Sequence, residues 1–163
     1  MSVRDIRVFG DPVLRERAAA VDPAAPATAA LVQDLLDTVR LPGRAGVAAN
    51  QIGVAKAAFS YSVDGRVGYV LNPRIAEVRG EPALVDEGCL SVPELGFPTP
   101  RHPFCRVVGV DLDGGEVVLE GEGLMAQMLQ HEMGHLDGKL YLQALDKEMR
   151  SLAMAEVRKA PWY

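Results

Sequence analysis

The sequence has no apolar run long enough to cross a bilayer, which takes about 18 residues or more. Its first residues, MSVRDIRVFGDPVLRER, carry charges between their apolar positions and lack the apolar core of a signal peptide, so we expect a cytoplasmic protein. Basic residues are outnumbered by acidic ones, 17 to 22, which argues against a nucleic-acid-binding surface. A chain of 163 residues, 48% of them hydrophobic, is expected to form one domain over residues 1–163.

Cysteine and histidine are scarce, with two and three copies, so each one can be considered separately. A disulfide between the two cysteines would be unusual in a reducing cytosol. Cys105 lies in the apolar run CRVVGVDL and is predicted to be a buried, small hydrophobic residue. Cys89 lies in DEGCLSVPE, between glycine and polar residues, which favours Cys89 as the chemically active thiol.

The hydrophobic pattern predicts three helices. Apolar residues at helical spacing over 31–39 predict the first, preceded by a Pro- and Ala-rich loop at 21–30. LMAQMLQHEMGHL (124–136) predicts a second helix, ended by Gly138, and an amphipathic segment at 142–159 predicts the third.

The strand pattern completes the predicted fold. Short β-leaning runs predict strands at 57–62, 66–73, 105–112 and 116–120, and Asp64-Gly65 is a hairpin-type turn between the first two. We therefore predict an α+β fold, a small mixed domain of short antiparallel strands packed around a central HExxH helix, with an N-terminal and a C-terminal helix.

His131 and His135 belong to this HExxH motif. Residues i and i+4 share one face of a helix, so both imidazoles can reach one metal ion. Glu132 lies about 100° round the helix from His131, so it can reach a water at the ion without being a ligand. Chance histidines on a surface helix are the alternative, but the segment is largely apolar, and unpaired polar groups facing inward are costly. Gly134 is unusual inside a helix and indicates either close packing or a lost side chain.

A catalytic divalent ion typically has three protein ligands and an open position, and HExxH supplies only two. The remaining histidine, His102, lies upstream of the motif. The thiolate of Cys89 would suit Fe(II) or Zn(II). Spacing alone leaves this thiolate and three downstream carboxylates open as candidates: Asp137, Asp146 and Glu148.

Three segments together resemble the peptide deformylase family: RAGVAANQ (44–51), EGCLS (87–91) and QHEMGHLDG (130–138). They correspond to the family's GxGxAAxQ, EGCLS and QHExDHLxG, in the same order. GDPVLRERA (10–18) and VPELGFPTPR (92–101) are also similar, so the likeness covers most of the chain.

The resemblance implies one divalent metal ion, Fe(II) in the first place, with Zn(II), Ni(II) or Co(II) possible in purified protein. The ion would be held by Cys89, His131 and His135. The implied reaction removes the N-formyl group from the formylmethionine of newly made polypeptides and releases formate. The implied partners are N-formylmethionyl peptides and the ribosome near its nascent-chain exit.

The resemblance also assigns the remaining catalytic roles. Glu132 is implied as the group that takes a proton and later delivers it to the leaving amine. The side-chain amide of Gln51 and the backbone N–H of Leu90 are implied as donors to the charge that develops on the formyl oxygen.

Two sets of residues are expected to bind the substrate. Small residues would allow close approach of its backbone: Ala45, Gly46, Ala48, Ala49 and Gly88. Leu124, Gln127 and Met128 share the helix face of His131, which would receive the methionine side chain. A thioether gives little back to a desolvated amide, so this pocket should be less apolar than a typical deformylase pocket unless Gln127 bonds within the protein.

Two positions depart from the family motifs. Arg44 stands where the first motif begins with glycine, and Gly134 stands where HExDH has an acidic residue. Arg101 is a candidate partner for the lost carboxylate. Neither position is a metal ligand, so the chemistry should survive, with consequences for substrate preference and turnover rate. Two alternatives are a divergent member that binds metal and peptide N-termini without cleaving them, and a zincin-type metallopeptidase with a carboxylate as third ligand.

Overall fold

The computed structural model describes residues 2–163, in which one α-helix precedes seven strands and two α-helices follow them. In chain order the elements are α1 (Pro26–Val39), β1 (Gly46–Ala48), β2 (Ala58–Val63), β3 (Arg66–Arg79), β4 (Ala83–Cys89), β5 (Val92–Arg101), β6 (Phe104–Val110), β7 (Glu116–Glu122), α2 (Gly123–Leu136) and α3 (Lys147–Lys159). Short 3-10 segments occupy Pro12–Arg15, Ala49–Ile52 and Tyr141–Ala144. None of the helices formed by these described residues is long and apolar enough to span a membrane.

The strands form two separate antiparallel sheets. Five strands are ordered β1-β2-β3-β6-β7, and β4 pairs only with β5. The β2–β3 hairpin turns at Asp64 and Gly65, whose φ values of 51° and 77° are the left-handed values that a tight hairpin turn requires. β1 is an edge strand that pairs with β2 on one side.

Helix α2 packs its apolar face on the five-stranded sheet. The buried residues there come from the helix and the strands beneath it: Ala48, Phe59, Tyr61, Val63, Val70, Cys105, Val107, Leu119, Met125, Ala126, Met128, Leu129 and Leu136. Burying a large apolar side chain contributes about 1.5–3 kcal/mol, so this cluster fixes the position of the helix. The helix ends at Leu136, and Gly138 follows with φ of 75° at a point where a Cβ would lie 2.5 Å from the carbonyl oxygen of Arg15. Only glycine fits both conditions.

Two further apolar clusters flank this core. Helix α1 covers β1 to β3 through a cluster centred on Leu35, Val39, Val47 and Leu71. Helix α3 contacts β5 and the 3-10 segment at Tyr141–Ala144 through a third cluster that contains Val92, Leu145 and Val157. The two-stranded sheet therefore belongs to the α3 side of the molecule, while the HExxH helix belongs to the large sheet.

The predicted α+β class, the central HExxH helix and the two terminal helices are confirmed. The prediction of a loop over 21–30 was wrong in its second half, because α1 begins at Pro26. Proline is tolerated at this first helical position, since the N–H that it lacks would have no partner within the helix. The C-terminal helix begins later than predicted. Asp146 caps it by accepting a hydrogen bond from the Met149 N–H at 2.8 Å, and the preceding turn is a 3-10 segment.

Strands β1, β4 and β5 were not predicted, although the other four were. β5 contains Pro93, Pro98 and Pro100, and proline within a run normally argues against a strand. In a sheet of only two strands both are edge strands, where a missing N–H is tolerated. Cys105 is fully buried, as predicted for a small hydrophobic residue.

Candidate active site

The three predicted metal ligands lie together where the end of β4 meets α2. His135 Nε2 lies 3.2 Å from His131 Nε2 and 3.4 Å from Cys89 Sγ, and the three ligand atoms all lie within 4.8 Å of one another. Metal–ligand distances of about 2.0–2.3 Å would separate the ligand atoms of a tetrahedral site by roughly 3–4 Å. The spacing fits one ion, and this group contains the thiol of Cys89 and none of the three candidate carboxylates.

The surroundings of the histidines also fit a cation. Burial lowers the pKa of His135 well below its usual value, so its imidazole is neutral, the form that binds metals. Burial disfavours charge on His131 as well, but Cys89 and Glu87 outweigh burial and raise the pKa of His131 well above its usual value. This position between a thiol and a carboxylate therefore favours positive charge, which a divalent ion would supply.

Glu87 fixes the orientation of His131. Its Oε2 lies 2.8 Å from His131 Nδ1, which leaves Nε2 of that ring facing the other ligands. Arg101 donates to both Glu87 oxygens, from Nε at 3.0 Å and from its terminal nitrogen at 2.5 Å. Burial alone would raise the pKa of Glu87, but the hydrogen bonds from His131 and Arg101 prevail and hold it at about 2.

Sequence reasoning missed this role of Glu87, although EGCLS contains it. Residues two apart on a strand share a face, which would have pointed to Glu87, but strand β4 that carries Glu87 and Cys89 was itself not predicted. Arg101 was considered as a partner for a carboxylate lost at position 134, whereas the structure pairs it with Glu87. Close packing does not explain Gly134, because a Cβ there would have its nearest neighbour, the Lys139 carbonyl oxygen, at 3.8 Å.

Glu132 faces the site from within the protein. Its side chain is buried, and its Oε2 has no hydrogen-bond partner among residues 2–163. Burial raises the pKa of Glu132 to about 7. Gly46 of β1 lies against this carboxylate so closely that a Cβ would come within 2.5 Å of Glu132 Oε1, so glycine at position 46 makes room for it.

Gln51 presents its amide nitrogen to the site. Its Oε1 accepts a hydrogen bond from the Ala48 N–H at 3.0 Å, which turns Nε2 toward Ser91 Oγ at 3.1 Å and Cys89 Sγ at 3.7 Å. Leu90 follows Cys89 in the turn between β4 and β5. The 3-10 segment that carries Gln51 is also joined to α2, because Asn50 Nδ2 donates a hydrogen bond to the His135 carbonyl oxygen at 2.6 Å. The sequence did not indicate this contact.

Cys89, His131, Glu132 and Gln51 line one cavity of about 440 Å³, behind which His135 is fully buried. The cavity is lined by Gly43, Arg44, Ala45, Gly46, Gln51, Asp86, Glu87, Gly88, Cys89, Leu90, Glu94, Leu95, Leu124, Gln127, Met128, His131 and Glu132. The list includes every residue expected to bind substrate except two. Ala48 and Ala49 are fully buried in the core outside this lining, so their predicted contact with substrate was wrong.

Gln127 is engaged within the protein. Its Nε2 donates to the Asp86 carbonyl oxygen at 2.8 Å and to Glu87 Oε1 at 3.3 Å. The sequence predicted a pocket less apolar than a typical deformylase pocket unless Gln127 bonds within the protein. Gln127 does bond within the protein, so the condition for a polar pocket is not met. Gln127 therefore connects α2 to β4, one helical turn before His131.

Comparison with known proteins agrees with this geometry. The sequence profile described as polypeptide deformylase matches residues 3–151. This chain belongs to the polypeptide deformylase family. The peptide deformylase of Acidothermus cellulolyticus is 44% identical over 162 residues, which span 99% of this chain and 89% of that protein. Peptide deformylase 1 of Corynebacterium efficiens is 40% identical over 167 residues, which span 100% and 99%.

Solved deformylase structures share the fold. The peptide deformylase of Thermus thermophilus superposes with a TM-score of 0.88 at 39% identity, covering 96% of this chain and 94% of that one. The peptide deformylase of Legionella pneumophila gives a TM-score of 0.88 at 32% identity, covering 97% and 95%. Family and fold together identify a metal-dependent hydrolase of the deformylase kind, and they do not favour a zincin-type metallopeptidase.

Proposed function

We propose that this chain acts as a single catalytic domain that removes the N-formyl group from formylmethionyl peptides, with Cys89, His131 and His135 as its metal ligands. The observation that carries the proposal is the grouping of these three ligands in a chain of the deformylase family, with Cys89 and His131 lining one cavity together with Glu132 and Gln51. A divalent ion held by these three residues would polarise the formyl carbonyl and would make a nucleophile available from water near neutral pH.

Glu132 supplies the proton transfer. Its buried carboxyl, with a pKa of about 7, can take a proton from the attacking water and deliver it to the departing amine nitrogen. Its unpartnered Oε2 leaves one carboxylate oxygen available for this exchange. The products are formate and a peptide with a free N-terminal amine.

Gln51 and Leu90 stabilise the charge that develops on the formyl oxygen. The amide of Gln51 is already oriented by Ala48 with its N–H groups toward the site, so little reorganisation is needed during the reaction. The backbone N–H of Leu90, in the turn after Cys89, is the second donor. Removing one such donor typically costs about 10²–10³ in kcat.

The peptide lies between the two sheets. β1 has one unpaired edge, and Ala45 and Gly46 line the cavity there, opposite Gly88 of β4. An extended peptide could add to this edge through backbone hydrogen bonds, with glycines permitting close approach. Leu124 and Met128, on the α2 wall beside Gln127, receive the methionine side chain.

Fe(II) is our assignment for the ion. One thiolate and two imidazoles suit Fe(II), and also Zn(II), Ni(II) or Co(II). Iron beside a thiolate is prone to oxidation in air. Activity of the iron-loaded protein should therefore decay in air and persist after replacement by Ni(II) or Co(II); air-stable activity with bound iron would contradict the assignment. Because its proposed substrate is the start of nascent chains, we also propose that the enzyme acts in the cytoplasm, near the ribosomal exit.

Formate release from a formyl-Met dipeptide, by protein purified anaerobically and analysed for metal, tests the proposal. We expect formate from the formylated peptide, no reaction with its acetylated counterpart, and a loss of about 10²–10⁴ in rate for Glu132→Gln with metal retained. Glu156→Gln, on the exposed face of α3, is the matched control and should behave as wild type. Metal binding without formate release would favour the non-catalytic alternative, and cleavage of internal peptide bonds would favour a metallopeptidase.

A further inference from the structure

Arg44 is a charged side chain in the cavity wall that the proposed reaction leaves without a role. It is the only lysine or arginine among the cavity-lining residues of the described chain. It also stands where the family motif begins with glycine, so this chain has a cation at a position that the chemistry does not require. The residue lies on the loop between α1 and β1, beside Ala45 and Gly46.

One bond holds the Arg44 guanidinium in place. A terminal nitrogen donates to the Thr38 carbonyl oxygen at 2.9 Å, in the last turn of α1. A purely structural role would stop here, because basic side chains often satisfy the last carbonyls of a helix. A guanidinium has five N–H donors, however, and no carboxylate of residues 2–163 lies within ion-pair distance of this one. Its remaining donors can take a carboxylate from a ligand.

The position of Arg44 along the wall indicates which part of a peptide it meets. Gly46 touches Glu132, which marks the reacting end of the cavity. Arg44 is two residues away, which places its Cα no more than about 7 Å from that of Gly46. An extended peptide advances about 3.3 Å per residue, so a substrate that runs along this wall from Gly46 toward Arg44 would bring its second or third residue beside Arg44.

We propose that Arg44 is a specificity-determining residue that favours formylated peptides with an acidic side chain at the second or third position, an inference that rests on the proposed function. Asp86 and Glu94 also line the cavity and would oppose an acidic side chain. Glu94 is exposed, whereas the guanidinium is held in place by Thr38 before the substrate arrives. The pre-oriented cation therefore dominates the discrimination at its own wall.

The test compares kcat/KM for two amidated series, formyl-Met-Xaa-Ala and formyl-Met-Ala-Xaa, with Asp, Asn or Lys at Xaa. Amidation removes the terminal carboxylate, which could itself bind Arg44. Wild type should prefer Asp over the isosteric Asn by about three- to tenfold in one series. Arg44→Gln should bring that ratio to one or below, and Arg44→Lys should keep part of it. Arg40→Gln, an exposed arginine outside the cavity lining, should leave the ratio unchanged.

The salt dependence of the Asp-to-Asn ratio is a second test, and it uses the wild-type protein. Arg44 is partly exposed to solvent, so its ion pair with a substrate weakens as screening grows, and the Asp-to-Asn ratio should fall between about 0.05 and 0.5 M NaCl. An equal ratio in wild type and Arg44→Gln, or a ratio that does not respond to salt, would overturn the proposal. A capping role alone would lower the melting temperature of Arg44→Gln and slow all peptides alike. Absence of formate from every peptide would instead contradict the proposed function.

Discussion

Glu87 supports the site from outside the set of metal ligands. Its two oxygens meet the His131 ring, the Arg101 guanidinium and the Gln127 amide, so one buried carboxylate joins β4, β5 and α2. Outer partners of this kind fix the tautomer and orientation of a ligating histidine, and their removal typically costs about 10- to 100-fold in metal affinity.

Replacing Glu87 with glutamine should therefore weaken metal binding by about 10- to 100-fold, because His131 loses its anionic partner and the partly buried Arg101 is left without a counter-charge. Chelator competition would measure the affinity. Glu77→Gln is the control, since Glu77 pairs with Arg79 and Arg106 away from the cavity. Unchanged metal affinity in Glu87→Gln would contradict this role.

The same carboxylate should shape the acid stability of the metal-free protein. The pKa of Glu87 is lowered from 4.5 to about 2, so its stabilisation is complete above pH 4.5 and is lost as the pH falls toward 2. Glu87→Gln cannot titrate, and its free energy of unfolding should vary less across that window. Denaturant titrations at several pH values would reveal the difference; parallel curves would rule it out.

The two cysteines offer a comparison within one chain. Cys89 Sγ lies beside His135 Nε2 at 3.4 Å, whereas Cys105 is buried in the sheet core. Cys89→Ala should lose bound metal and activity, because two imidazoles remain from a three-ligand site. Cys105→Ala should keep a metal-to-protein ratio near one and wild-type activity. Metal analysis would decide, and equal dispensability of both thiols would exclude Cys89 as a ligand.

At the scale of elements, Gly134 weakens the helix that carries two ligands. A helical Cβ at position 134 would meet only ordinary contacts, and alanine there avoids the entropy that glycine loses. Gly134→Ala should stabilise the protein by about 0.5–1 kcal/mol and raise its melting temperature by about 1–4 °C. Gly138→Ala is the matched control and should destabilise, because Gly138 has φ of 75° and no room for a Cβ. Equal shifts for the two variants would contradict this explanation.

How far the sequence predicted each element depends on the range of its contacts. The HExxH helix could be placed because residues i and i+4 lie on one face by helical geometry alone. Cys89 could not be chosen as third ligand in that way, since it lies 46 residues from His135 and only the packing of β4 against α2 joins them. The family resemblance supplied that choice. The pairing of Glu87 with His131 and Arg101 also joins residues that are far apart in the sequence, and it was not predicted.

At the scale of the molecule, the site lies where two separately packed units meet. Helix α2 belongs to the core of the five-stranded sheet, while β5 and Cys89 belong to the cluster with α3. Side chains bridge the two through Glu87 to His131 and through Gln127 to the Asp86 carbonyl. Ligands from both units would make a bound ion a further link between them.

Metal removal should therefore loosen the molecule unevenly. An ion that binds only the folded chain stabilises it by about 4 kcal/mol at a thousandfold excess over its dissociation constant, so chelation should lower the melting temperature. The loss of amide-exchange protection should be largest in β4 and β5, while β2, β3 and β6 stay protected by their own core. Cys105→Ala should respond to chelator as wild type does, and Cys89→Ala should not respond. A uniform loss of protection across both sheets would show that the ion does not act as a link between them.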